Sequence, residues 1–67
     1  MNWDQIKGNW LQFKGKVKEK WGKLTDDDLT TINGKRQQLV GVLQQKYGYA
    51  KTQAEQELDE FARDLKS

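Results

Sequence analysis

The stretch that decides the fold is Phe13-Lys14-Gly15-Lys16-Val17-Lys18-Glu19-Lys20-Trp21-Gly22-Lys23-Leu24-Thr25-Asp26-Asp27-Asp28. A basic segment with helical patterning runs into Gly22-Lys23 and stops, and a new helix begins at Thr25. A threonine before the first helical residue accepts a hydrogen bond from an amide that the helix start leaves open. Aspartates in the first turn face the positive end of the helix dipole. Three adjacent carboxylates also raise a metal site. Consecutive helical residues diverge by about 100°, however, and no D-x-D-x-D-G spacing is present, so Asp26, Asp27 and Asp28 read as capping residues.

Toward the N-terminus, Trp3, Ile6, Trp10, Phe13, Val17 and Trp21 recur at spacings of 3, 4, 3, 4 and 4. This pattern keeps them on one stripe of a helix. A single helix is expected over about 3–21, with Asn2 as N-cap and Gly22 just past the end. The aromatic stripe reads as a core face. Gly8, Gly15 and Gly22 repeat at a spacing of seven, nearly opposite that stripe. Each interior glycine costs a helix about 1 kcal/mol relative to alanine, so order here depends on docking the aromatic face. Two readings of the glycines stay open. They face solvent without a role, or Gly8 and Gly15 admit the close approach of a partner's backbone or phosphate.

Toward the C-terminus, Leu29 and Ile32 give a short helix its apolar contact, and Asn33-Gly34 signals a turn. Positions 29, 32, 36, 39, 43 and 47 keep one helical phase, so one bent helix over 26–47 is the alternative to two. A helix over about 34–47 points Leu39, Val40, Leu43 and Tyr47 inward and stops at Gly48. A last helix over about 51–65 carries Ala54, Leu58, Phe61 and Leu65, with Thr52 and Glu55 as a capping box. The short connections pack neighbouring helices together. The expected fold is all-α: one domain over residues 1–67, with four helices in two packed hairpins. Its single core comprises Trp3, Ile6, Trp10, Phe13, Val17, Leu29, Ile32, Leu39, Leu43, Tyr47, Leu58 and Phe61.

At 67 residues, with no cysteine and no histidine, the chain has neither disulfide nor the usual zinc ligands to reinforce a small core. One third of the residues are charged, yet three tryptophans, two tyrosines and two phenylalanines place it on the folded side. The start, Met1-Asn2-Trp3-Asp4-Gln5, has no signal-peptide pattern, and the longest apolar cluster, Leu39-Val40-Gly41-Val42-Leu43, falls far short of the roughly 20 residues of a membrane span. A cytoplasmic monomer is expected.

Net charge is +2, unevenly placed: residues 1–24 hold six lysines against Asp4 and Glu19, and residues 25–67 hold six basic against eight acidic residues. Lys14, Lys16, Lys18, Lys20 and Lys23 are the candidate partner-binding residues, toward an acidic macromolecule or nucleic acid. No arginine lies in the first helix, so readout of base sequence is not expected. Tryptophans opposite lysines also suggest an interfacial amphipathic helix, but the tryptophan face is committed to the core. Nucleophilic catalysis needs an activated Ser, Cys or Thr beside a base, and the only serine is Ser67. With no phosphate-cradling loop and little room for a pocket, the chain reads as not an enzyme, with no cofactor and no metal.

The run Gly8-Asn9-Trp10, Gln12-Phe13-Lys14-Gly15-Lys16-Val17-Lys18-Glu19 and Trp21-Gly22-Lys23-Leu24-Thr25-Asp26-Asp27-Asp28 resembles the CsbD-like family of small bacterial general-stress proteins. Gly34-Lys35-Arg36, Leu39-Val40-Gly41 and Tyr47-Gly48-Tyr49 extend the resemblance over nearly the whole chain. Residues 60–67 are its least family-like part. The resemblance implies a SAM-like four-helix bundle in the cytosol, made under general, envelope or osmotic stress. It implies no catalytic residues and no cofactor. The function expected is that of a non-enzymatic stress-response protein acting by binding or protection. The alternative is a weak, sequence-independent nucleic-acid-binding module using the basic first helix.

Overall fold

Residue Asn9 interrupts the N-terminal helix. In the computed structural model, which describes residues 3–65, the stripe expected as one helix forms two, α1 (Trp3–Gly8) and α2 (Trp10–Lys20). Asn9 closes one and opens the other. Its backbone N–H donates to the carbonyls of Gln5 and Ile6, and its side-chain amide donates to Gln5 O at 3.0 Å. Its own carbonyl accepts from Gln12 and Phe13 at the start of α2. Gly8 and Asn9 are both weak helix formers, so the bend falls where helical propensity is lowest. The expected cap at Asn2 lies outside the described residues.

Three further helices follow: α3 (Asp26–Ile32), α4 (Arg36–Tyr47) and α5 (Lys51–Asp64). The described residues thus form an all-helical chain of five helices, correcting the four expected. Thr25 caps α3 as read. Its hydroxyl accepts from the Asp28 amide at 3.1 Å, and the Asp28 carboxylate accepts from the Thr25 amide at 2.9 Å. Two left-handed residues, Asn33 at φ 46° and Gly34 at φ 80°, separate α3 from α4, which rules out one bent helix. Gly48 ends α4 in the same left-handed conformation. The capping box expected at Thr52 is absent: α5 begins at Lys51, with Ala50, two residues before Thr52, at the cap position and no side-chain cap bond. α4 packs against both α3 and α5.

The core holds every residue expected of it except Trp3 and Tyr47, which pack against it half-buried. It also takes in Trp21, Leu24, Val40 and Ala54. Trp21 leaves the helix as the cap of α2 and sets its ring against Phe61 of α5, with centroids 5.3 Å apart. Two indoles fasten the N-terminal helices to the α3–α4 corner: Trp3 Nε1 donates to Gly34 O at 2.7 Å and Trp10 Nε1 to Leu29 O at 3.0 Å. The same corner explains Gly34. A Cβ there would stand 3.0 Å from Lys7 Cα, so only glycine allows α1 to lie this close.

Candidate functional site

The basic segment does not present one positive face. Along a helix, residues four apart share a flank. Lys14 and Lys18 therefore stand on one side of the buried Phe13–Val17 stripe, and Lys16 and Lys20 on the other. The surroundings agree. Lys14 and Lys18 line a groove of about 230 Å³ with Asp26 and Thr30 of α3. Lys16 and Lys20 line one of about 290 Å³ with Phe61 and Asp64 of α5. The charge asymmetry in the sequence is thus partly matched within the fold.

Individual lysines are further committed. Lys18 Nζ pairs with Asp26 at 2.9 Å. That hydrogen bond, with the Lys18 charge and a smaller effect of Lys14, holds the Asp26 carboxyl below the usual carboxylate range. Lys20 sits over the Trp21 ring, 5.5 Å from its centroid, and Lys23 over the Tyr47 ring at 5.1 Å. Lys23 belongs to a separate latch. Its backbone N–H donates to Tyr47 Oη, and its carbonyl accepts from Lys46 Nζ, which also pairs with Asp28. Lys46 and the Thr25 amide hold the Asp28 carboxyl below its usual range. The role of Lys46 was missed in the sequence because it lies on α4, far along the chain from the residues it joins.

Leu11 is the other residue that sequence reasoning missed. It is 81% exposed on α2, out of phase with the buried stripe. The signal was available: a leucine about 100° or more from every core position of its helix. Leu11 lines the Lys14–Lys18 groove and also a second one of about 380 Å³, formed with Lys7, Gly8, Trp10 and Asn33. Gly8 and Gly15 flank it, now on different helices, and a Cβ added at either would meet nothing within 4 Å.

Among the described residues, no three His, Cys, Asp or Glu side chains are grouped to hold a metal ion, and no helix is long and apolar enough to cross a membrane. The three aspartates are explained by the cap and by the pairs with Lys18 and Lys46.

The CsbD-like family model matches residues 4–56, which span α1 through the start of α5. The chain belongs to the CsbD-like family. Its relatives include the UPF0337 protein YjbJ of Escherichia coli O6:H1, 65% identical over 63 residues covering 94% of this chain and 91% of the relative. YjbJ of Escherichia coli K12 is 69% identical over 58 residues, covering 87% and 84%. The UPF0337 protein pc0632 of Protochlamydia amoebophila is 64% identical over 61 residues, covering 91% and 92%.

Proposed function

We propose that this CsbD-like chain is a non-enzymatic stress-response protein of the cytoplasm that acts by binding, and thereby protecting, another macromolecule. The observation that carries the binding role is Leu11, a large apolar side chain held out to solvent on a folded helix among lysines. Family membership supports the stress role. The test is survival after osmotic or stationary-phase challenge in a bacterial strain that lacks its own copy. The wild-type chain restores survival, and Phe13→Ala, which removes a buried core ring, does not. Equal survival with and without the chain overturns the reading.

Nucleic-acid binding is the second reading, favoured by the concentration of lysines on and just after α2. The division of those lysines into two flanks limits it. A duplex lying along one flank meets two of them, so log K against log salt should have a slope of about −2. Titration of random duplex DNA across a salt series, with Lys14, Lys16 and Lys18 changed to glutamine as control, measures this. No binding at low salt removes the nucleic-acid reading and leaves the survival test untouched.

A further inference from the structure

We propose that the Leu11 flank of α2 is a docking site for an acidic amphipathic helix of a partner protein. The proposal rests on the binding reading above and names the site and the class of partner. The two grooves beside Leu11 share Leu11 and Gln12, so they form one continuous surface with a central apolar ridge. Leu29 lines one side and Trp10 the other. At about 230 and 380 Å³, one groove falls below the usual range for a small-molecule site and the other sits at its low end; both are open to solvent, which suits a side chain of a partner.

Charge selects among occupants. The residues lining the two grooves include Lys7, Lys14 and Lys18 against Asp26; Lys18 and Asp26 pair with each other, which leaves Lys7 and Lys14 as the positive rim. An apolar centre with a positive rim fits a partner that places an apolar side chain on each side of Leu11 and carboxylates outside them. A second copy docking through the same flank would bring these lysines against their own counterparts, which like-charge repulsion opposes. A bilayer surface would find one exposed leucine, too little apolar area for anchoring. The open space at Gly8 and Gly15 lets a partner backbone lie close to the end of α1 on one side of the ridge and to α2 on the other. From Leu11 to Lys18 the helix advances about 10 Å, so two to three turns of a partner helix cover the site.

The test is a titration of the isotope-labelled full chain, followed by amide chemical shifts. The probe is a 14-residue peptide with leucines at i, i+3, i+4 and i+7 and glutamates at the flanking positions. A scrambled peptide of the same composition and a lysine-for-glutamate version serve as controls. Saturable shifts confined to residues 7–18 and 29–33 are expected with the acidic amphipathic peptide alone. Leu11→Gln should weaken binding at least tenfold, and Lys14→Gln severalfold with a smaller salt dependence. Both positions are exposed, and unchanged thermal melts of the variants confirm that folding is intact. Absence of saturable binding, equal binding of the scrambled peptide, or shifts centred on Lys16, Phe61 and Asp64 would overturn the proposal. So would Leu11-dependent self-association, or Leu11-dependent binding to phosphatidylglycerol vesicles in preference to the peptide. Stress survival is read separately, so failure of the titration leaves the broader binding role to its own test.

Discussion

The indole N–H of Trp10 donates to the carbonyl of Leu29, 19 residues away, at 3.0 Å inside the core. Leu29 O also accepts from Asn33 N–H, so one carbonyl ties α2 to the end of α3. The Trp21 indole N–H is buried with no acceptor among the described residues. Two tryptophans of one stripe thus differ in how their polar atom is satisfied.

Trp10→Phe should therefore cost more stability than Trp21→Phe, by about 1–3 kcal/mol. The first loses a buried hydrogen bond, and the second removes an N–H that is desolvated without compensation. Urea melts of the two variants check this. Equal losses would mean that ring volume alone sets both.

The glycines should respond with opposite signs. Changing Gly8 and Gly15 together to alanine should raise stability by about 1–2 kcal/mol, because both added methyls enter open space on helical backbone. Gly34→Ala should lower it by about 1–2 kcal/mol for the left-handed backbone alone, with the contact at Lys7 Cα adding to that. Thermal melts at one pH decide both signs.

Phe13 and Leu11 stand two residues apart on α2, one buried and one exposed. Phe13→Ala should cost about 3–5 kcal/mol, enough to unfold a domain of this size. Leu11→Ala should change stability by less than about 0.5 kcal/mol. Denaturant unfolding of the pair tests the face assigned to each.

Acid should loosen the fold through Asp26 and Asp28. Lys18 lowers the first pKa, and Lys46 with the Thr25 amide lowers the second. A carboxylate whose folded pKa lies below its unfolded value of about 3.9 stabilises above that value and loses the contribution as pH falls through the folded one. The melting temperature should fall as pH drops from about 5 to 2. Asp28→Asn should flatten that fall while keeping an acceptor for the Thr25 amide. An unchanged pH profile in the variant would show that the latch to Lys46 carries no net stabilisation.

Most of the helical architecture was legible because apolar spacing and punctuation agreed. Thr25 before three aspartates, Asn33-Gly34 and Gly48 mark ends that the backbone confirms with a capping box and left-handed residues. The break at Asn9 was not read, because the apolar stripe continues through it in phase. The weak pair Gly8-Asn9 was the only local sign. Thr52-Glu55 shows the reverse error, a motif that matched in sequence at a position the helix does not use as its cap. The candidate site was the least legible part. Lysine counts cannot show that the buried stripe splits Lys14 and Lys18 from Lys16 and Lys20. The significance of Leu11 appears only once its neighbours in space are known.

The interruption at Asn9 should let α1 open separately from the rest of the fold. This helix has six residues, fewer than a helix needs to persist alone in water, and among the described residues it is tied to the α3–α4 corner by the Trp3 indole and to the core by Ile6. It should detach while α2 to α5 stay folded, by an opening smaller than global unfolding. Amide protons of α1 should then exchange with deuterated solvent through this local opening, largely independent of low denaturant. Those of Leu39 and Leu43 in α4 should exchange only when the whole chain unfolds.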